Sequence, residues 1–139
     1  MRAGLIALMM MIGSPVGAEV IMHCGASKGY SYLFNDPLWN SHPSAWHEDK
    51  ISNGRIILLK EGADWDILFG DAIGSKGYRS DGAKVIALHW DERFIRVGAF
   101  HTNFTDIYNF NLVERTVVWS SNKSGPLMGK VAVYFSDCN

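Results

Sequence analysis

The feature that most constrains this chain is an alternation of apolar and polar residues with a period of two. In residues 64–69, Trp65, Ile67 and Phe69 share one face, and two carboxylates face the other way. Successive side chains of a β-strand point to opposite faces of a sheet, whereas one face of a helix recurs about every 3.6 residues. The same alternation returns twice later in the chain, in residues 94–99 and 105–112. These segments are therefore predicted to be half-buried β-strands.

Two further runs, residues 56–59 and 85–88, are apolar on both faces. They are typical of central strands covered on both sides, or of strands in a closed barrel. Turn-forming residues separate the apolar runs at Glu61-Gly62-Ala63, Gly70-Asp71, Asp81-Gly82, Asp91-Glu92 and Gly125-Pro126. Strand starts thus recur at intervals of roughly 8–12 residues, as in sandwiches and small barrels. The predicted fold is all-β: a single small β-barrel or sandwich of about eight mostly antiparallel strands.

The two cysteines, Cys24 and Cys138, lie near the two ends of the chain. In an oxidising compartment such a pair is expected to form a disulfide, which here would close the whole fold. A redox or metal-binding pair is the alternative, but the chain has no CxxC motif. In the loop-entropy model, a disulfide that closes a loop of about 100 residues stabilises the folded state by about 4–5 kcal/mol.

The beginning of the chain has the organisation of a secretory signal peptide. Arg2 supplies a positive start, residues 5–16 form an uncharged apolar run, and small residues precede Glu19. The run is shorter than the roughly 20 residues that cross a bilayer, and no later segment reaches that length without a charge. We therefore predict a signal peptide in residues 1–18 and a single domain in residues 19–139. That domain is expected to be periplasmic or secreted, without a membrane span; a buried N-terminal helix is the alternative.

The charge of the chain argues against two classes of partner. The sequence carries 13 Lys and Arg residues against 14 Asp and Glu residues, and the basic ones do not cluster. Binding to phosphate backbones or to anionic lipid requires a basic patch. Nucleic acid and anionic membrane surfaces are therefore not expected as partners.

One connection, residues 35–53, is much longer than the short turns that separate the other predicted strands. Connections of this length in compact domains are usually functional or disordered, and exposed tryptophan concentrates binding energy in interfaces. The alternative is that its tryptophans fold back as a lid over one open barrel end. Residues 43–48 are expected to form one helical turn. The predicted binding residues of the segment are two tryptophans and two histidines: Trp39, His42, Trp46 and His47.

Other polar clusters are interpreted as solvated surface. The spacing of five between His42 and His47 does not place two imidazoles on one helix face. Asp64 and Asp66 are interpreted as the solvent-exposed face of an amphipathic strand. A calcium site is not predicted, because no calcium-loop motif follows them. We therefore predict no metal site and no cofactor.

Catalysis has little support in the sequence. There is no GxSxG motif, and a disulfide would leave no free cysteine. His89 and His101 lie within or beside apolar runs, where a histidine is usually structural. The chain is therefore predicted not to be an enzyme. A small hydrolase or metal-dependent enzyme that uses the acidic and histidine residues is kept as the third alternative.

Several short motifs together resemble those of small exported bacterial all-β proteins of unknown function. The resemblance covers most of the chain after residue 18 and implies compartment and fold, but no activity. Its motifs are Cys24-Gly25, Tyr30-Ser31-Tyr32, Ile51-Ser52-Asn53-Gly54, Asp64-Trp65-Asp66-Ile67-Leu68, Asp71-Ala72, Tyr108-Asn109-Phe110 and Asp137-Cys138.

A looser likeness connects the chain with periplasmic inhibitors of c-type lysozyme. Ser75-Lys76-Gly77-Tyr78, followed by Asp81-Gly82 and Trp90, is similar to the loop motif of that family. The likeness implies that such a loop inserts into the cleft of a lytic enzyme. It adds Ser75, Lys76 and Tyr78 to the predicted binding residues.

The function predicted from the sequence is that of a non-enzymatic exported β-domain. It is expected to bind through the long aromatic segment of residues 35–53, with another envelope or extracellular protein as the partner. The alternative is inhibition of a cell-wall hydrolase of the lysozyme type through the loop from Ser75 to Tyr78.

Overall fold

A computed structural model describes residues 17–34, 44–71, 74–125 and 128–139, and these residues form strands and turns. Within these ranges no helix is long and apolar enough to cross a membrane. The all-β prediction is confirmed, with eleven strands in place of about eight. They are β1 (Glu19–Cys24), β2 (Ser27–Leu33), β3 (Ala45–Ile51), β4 (Arg55–Glu61), β5 (Asp64–Gly70), β6 (Ser75–Gly77), β7 (Lys84–Trp90), β8 (Phe94–His101), β9 (Phe104–Asn111), β10 (Thr116–Gly125) and β11 (Met128–Asp137).

The strands form two antiparallel sheets. The small sheet has the order β1-β4-β5-β6, and the large sheet has the order β3-β2-β11-β10-β9-β8-β7. Strands β7 to β11 follow one another as a meander, which β2 and β3 extend on the far side of β11. Among the described residues the outer strands β3 and β7 do not pair with each other. The architecture is therefore a sandwich and not a closed barrel.

The core lies where the small sheet covers part of the large one. Ile56, Leu58 and Ile67 of the small sheet and Phe110 and Val117 of the large sheet have no exposed surface. These positions follow the alternation of the sequence, since β5 buries Trp65 and Ile67 and turns its two aspartates outward. The apolar run of residues 56–59 is β4, a central strand of the small sheet, as predicted.

The disulfide between Cys24 and Cys138 is present, as predicted. It joins the end of β1, in the small sheet, to the residue after β11, in the large sheet. Backbone bonds surround it: the Asn139 amide donates to the His23 carbonyl at 2.8 Å, and the Gly25 amide donates to the Asp137 carbonyl at 3.0 Å. The bond indicates an oxidising, extracytoplasmic environment.

The prediction that residues 85–88 are a covered central strand is wrong. They belong to β7, which pairs only with β8 among the described residues and is an edge of the large sheet. Ile86 and Leu88 are exposed, and a bulge at Leu88 shifts the register against β8. A run that is apolar on both faces indicates a strand, but it does not determine which neighbours pair with it.

The long connection predicted for residues 35–53 also needs correction. Residues 45–51 form β3, which pairs in full register with β2, and no helical turn forms among the described residues 44–48. Residues 35–43 lie outside the described part of the chain, as does Pro126 of the turn predicted after Gly125. The sequence did not indicate β3 as a strand because four consecutive residues, from His47 to Lys50, are polar or charged.

Gly29 of β2 is required by the close approach of β2 and β11. A Cβ atom at this position would overlap the backbone carbonyl oxygen of Val133 and come within 2.9 Å of the Tyr134 Cα atom. Only a residue without a side chain therefore allows the two strands to pair at this point.

We predict that replacing both cysteines, Cys24→Ser with Cys138→Ser, lowers the free energy of unfolding by about 2–5 kcal/mol. The bond restrains a loop whose ends are 114 residues apart in the sequence, so its loss enlarges the unfolded ensemble. Urea unfolding measures the change, and the far-ultraviolet circular dichroism of the variant should stay that of a β-protein. Wild-type protein kept reduced should match the double variant. Equal stability of oxidised wild type and variant would contradict the prediction.

Candidate functional site

The two sheets enclose a cavity of about 490 Å³ at the end of the sandwich that is far from the disulfide. Its mouth lies beside Phe104, Lys123 and Lys130, which face one another across β9, β10 and β11. Lys130 and Cys138 are eight residues apart along the chain, or roughly 26 Å along an extended strand. Lys130 therefore lies near the end of β11 that is opposite the disulfide.

Aromatic rings from both sheets form the walls of the cavity. Trp119 stacks on Tyr134 with ring centroids 4.5 Å apart, and Phe69 of the small sheet meets Trp119 edge-on at 5.7 Å. Tyr78 packs at 5.3 Å from Phe104 on the other side. These rings are held by the core and have little freedom to collapse into the space. The cavity thus has a rigid apolar wall, as ligand sites commonly do.

The floor of the cavity is polar. Asp106 of β9 and Ser121 of β10 face each other across the strand pair, and only 3% and 2% of their surfaces are exposed. Tyr78 donates its hydroxyl proton to Asp106 Oδ2 at 2.6 Å. The hydroxyls of Tyr78 and Tyr108 are also 2.6 Å apart, so Tyr108 is the donor to Tyr78, whose own proton is already used. The result is a chain of hydrogen bonds that ends on one oxygen of the carboxylate.

The other oxygen of the carboxylate is less well satisfied, because the Ser121 hydroxyl interacts with Asp106 without completing a hydrogen bond to it. Asp106 Oδ1 and Ser121 Oγ are buried, and neither makes a complete hydrogen bond with any described protein group. Both residues line the cavity. A buried polar atom without a partner costs about 1–3 kcal/mol, and native proteins contain few of them. The two atoms therefore form a buried, incompletely hydrogen-bonded polar point at the base of an aromatic pocket.

The ionisation of the floor is controlled by burial. Burial raises the pKa of Asp106, and the hydroxyls of Ser121 and Tyr78 offset part of that rise. Burial also raises the pKa of Tyr78 well above its ordinary value, and the neighbouring Tyr108 and Asp106 add to the effect. The phenols therefore stay protonated at neutral pH and act as hydrogen-bond donors.

The charged groups at the rim are mostly paired. Lys76 Nζ lies 2.9 Å from Asp81 Oδ1, and Lys130 pairs with Asp49, which also accepts a 2.7 Å hydrogen bond from the Tyr134 hydroxyl. Burial acts to raise the pKa of Asp49, but its hydrogen bonds to Lys130 and Tyr134 outweigh this and lower it. Two of the three lysines that line the cavity, Lys76 and Lys130, are thus neutralised by a neighbouring carboxylate.

The structure brings together some of the residues predicted from the sequence and separates others. Lys76 and Tyr78 both line the cavity, whereas Ser75 is an exposed residue of β6. Tyr78 is only 6% exposed. It packs inward and does not project from a loop. His47 is exposed on β3 and does not line the cavity, and Trp39 and His42 lie outside the described residues.

Trp46 belongs to a different surface on the outer face of the large sheet. Its ring meets Tyr32 edge-on at 5.4 Å, and Tyr32 meets Phe34 at 5.3 Å. Trp46 is 61% exposed, and Tyr30 of the neighbouring strand is also largely exposed. We call Tyr30, Tyr32, Phe34 and Trp46 the outer aromatic surface. Beside it runs an open groove of about 550 Å³ lined by Lys28, Glu48, Lys50, Val118, Val133 and Phe135.

No three His, Cys, Asp or Glu side chains converge in a metal-binding arrangement within the described ranges. The acidic residues of β5 serve local structure instead. Asp66 Oδ1 accepts hydrogen bonds from the amides of Ile67, at 2.8 Å, and Arg79, at 3.2 Å. Asp64 lies 3.4 Å from the guanidinium of the same arginine. The two aspartates therefore hold the turn after β6 against β5.

The sequence analysis missed Asp106 and Ser121, although the pattern contained a signal for both. Asp106 lies two residues before Tyr108, on the face that the apolar stripe of β9 continues. Ser121 lies two residues after Trp119 in the same way. A carboxylate at a position whose period places it in the core indicates a functional site, because burying an isolated charge is costly.

Comparison of the chain with protein-family models, with curated proteins and with solved structures gives no match.

We predict that Asp106→Asn stabilises the protein at neutral pH. Since the pKa of Asp106 is raised by folding, the folded state holds the proton to higher pH than the unfolded chain, whose pKa is about 3.9. The stability of the wild type therefore falls as pH rises above about 4 and through the folded pKa, by about 1.4 kcal/mol for each unit of the shift. Asparagine does not ionise, so the variant escapes this loss.

Urea unfolding of both proteins between pH 4 and pH 8 measures the difference. The advantage of the variant should grow with pH, and Asp64→Asn, at an exposed carboxylate, should show no such trend. A variant less stable than the wild type at pH 7 would show that the carboxylate contributes to folding.

Proposed function

We propose that the protein is a non-enzymatic exported binding domain, periplasmic or secreted, that holds a small molecule in the cavity between its sheets. The observation that carries this proposal is the pair of unpartnered buried atoms, Asp106 Oδ1 and Ser121 Oγ, at the base of an aromatic pocket. A volume of about 490 Å³ falls in the range of small-molecule sites.

The chemistry of the floor supports binding over catalysis. Asp106 is the only carboxylate of the cavity that is buried, and no histidine, lysine or arginine among the described residues pairs with it. The neighbouring Tyr78 and Tyr108 keep their protons, since burial raises the pKa of each. The floor therefore offers fixed donors and acceptors, without an activated nucleophile or a paired acid and base.

A substitution that fills the cavity tests this proposal. Ser121→Leu places a larger side chain beside Asp106, whereas Ser120→Leu places the same side chain on the opposite face of β10. Nuclear magnetic resonance spectra of labelled wild type, titrated with a library of small polar and aromatic fragments, should show shifts confined to cavity residues of β9, β10 and β11. Those shifts should disappear in Ser121→Leu and persist in Ser120→Leu.

Both leucine variants are first checked for cooperative melting. Fragments that shift the outer face of the large sheet equally in all three proteins would contradict a cavity site. The absence of any cavity shift in the wild type would contradict it as well.

A second candidate function is contact with another extracellular or envelope protein through the outer aromatic surface. The specific observation is that Trp46 is 61% exposed on a paired strand and is held edge-on by Tyr32. A rigid exposed tryptophan loses little conformational freedom when a partner covers it, which is why such residues concentrate binding energy.

We predict that Trp46→Ala changes the melting temperature by only a few degrees, since most of the side chain is already in water. If this surface binds a protein, the variant should lose the cross-linked product that the wild type forms in a cell-envelope extract. Trp90→Ala is the matched control, because Trp90 is 62% exposed on the opposite edge of the sheet. Loss of the product in both variants, or in neither, would contradict this second candidate.

The alternative of hydrolase inhibition through the loop from Ser75 to Tyr78 draws less support. Ser75–Gly77 forms a strand paired with β5, and Tyr78 is packed against Phe69, Phe104 and Tyr108. Insertion into the cleft of an enzyme would require a protruding side chain, which Tyr78 does not provide.

A further inference from the structure

We propose that the cavity binds a small organic cation, a protonated primary amine with an apolar body, whose ammonium group contacts Asp106 and Ser121. This inference rests on the proposed function, because it names the ligand class of the same cavity. Three features of the cavity support it: the charges around Asp106, the hydrogen-bonding capacity of Asp106 and Ser121, and the surrounding aromatic rings.

Asp106 is a buried carboxylate that lacks a cationic partner. Two of the lysines at the rim are paired with other groups, Lys76 with Asp81 and Lys130 with Asp49. Lys123 influences Asp106 only through longer-range attraction, and no ion pair joins them. A buried charge is stabilised mainly by an opposite charge in contact with it. Among the described residues, the protein supplies hydrogen bonds to Asp106 but leaves the charge for a ligand to balance.

The free atoms of the floor match the donors of an ammonium group. Asp106 Oδ1 accepts only, and Ser121 Oγ has lone pairs free to accept. An ammonium group carries three donors and no acceptor, so it can satisfy both atoms at once. A ligand hydroxyl can donate its one proton to Asp106 and accept from the Ser121 hydroxyl, but it brings no positive charge to balance the carboxylate. A ligand carboxylate would place like charges together in a desolvated site.

The aromatic wall favours the same class of ligand. The rings of Tyr78, Phe104 and Trp119 surround the space above the floor. A cation within about 6 Å of an aromatic face is attracted by the ring quadrupole, most strongly where water is excluded. Ile51 and Phe69 also line the cavity and offer apolar surface to the body of the ligand. An inorganic cation alone would leave that surface uncovered.

Isothermal titration calorimetry at pH 7 with matched probes tests the class. The probes share one of two bodies and differ in the head group: 2-phenylethylamine, 2-phenylethanol and 3-phenylpropionate, and butylamine with butanol. We expect each amine to bind the wild type at least tenfold more tightly than its alcohol, and the carboxylate not to bind. Asp106→Asn should weaken amine binding at least tenfold while changing alcohol binding less than threefold.

Two further variants make the test specific. Lys123→Gln removes a cation near the mouth and should tighten amine binding without affecting the alcohols. Asp64→Asn, on the exposed face of β5, should change neither. An Asp106→Asn protein that melts cooperatively but keeps full amine affinity would overturn the assignment of Asp106.

The outcomes also separate this inference from the proposed function. Alcohols that bind in the cavity as tightly as the amines would overturn the cationic class and leave a cavity-binding protein. If only neutral fragments shift the cavity residues in the magnetic resonance titration, the cationic class is likewise overturned and the protein remains a cavity-binding protein. If no probe and no fragment reaches the cavity, both proposals fail together.

Discussion

The covalent link between the sheets at one end of the sandwich is the constraint on which the rest of the structure depends. Cys24 and Cys138 hold the end of β1 against the end of β11, and backbone hydrogen bonds of His23 and Gly25 reinforce the contact. The apolar core fills the space next to this link. Because the small sheet has four strands and the large sheet seven, the sheets cannot cover each other completely. The cavity between the sheets is lined at its far end by Phe104, Lys123 and Lys130, away from this link.

At that far end the sheets are joined by polar groups. Tyr78 follows the small sheet, and its hydroxyl binds both Asp106 and Tyr108 of the large sheet. An apolar contact at this position would be more stabilising than a buried carboxylate with one unpartnered oxygen. Residues that lower the stability of a protein but serve its function are commonly found in ligand-binding sites. The distribution of polar and apolar contacts thus separates an apolar, disulfide-linked end from the end that holds the proposed binding cavity.

The sequence was sufficient for the class of fold, the disulfide and most turns, because each depends on local patterns or on a single pair of residues. It was not sufficient for the order of the strands. β7 is apolar on both faces and yet forms an edge, whereas β4, with the same pattern, is central. The pairing of β11 with β2 joins the two ends of the chain, and no local pattern encodes it. The cavity could not be predicted for the same reason, since Tyr78 and Asp106 meet only when both sheets are assembled. Trp46 was predicted from the sequence as a binding residue of the segment 35–53, and the structure places it against Tyr32 and Phe34, which precede that segment.

The composition of β3 explains why it was not predicted from the sequence and how this edge of the large sheet opposes pairing with a second molecule. The strand carries His47, Glu48, Asp49 and Lys50 in succession and is an edge of the large sheet. Few sequences of this kind form strands unaided, and β3 forms because β2 offers it a complete set of backbone partners. A strand of a second molecule that paired with the free edge of β3 would have to desolvate these charged side chains. The charges of β3 therefore protect one edge of the large sheet, whereas the other edge, β7, exposes Ile86 and Leu88 and has no such protection.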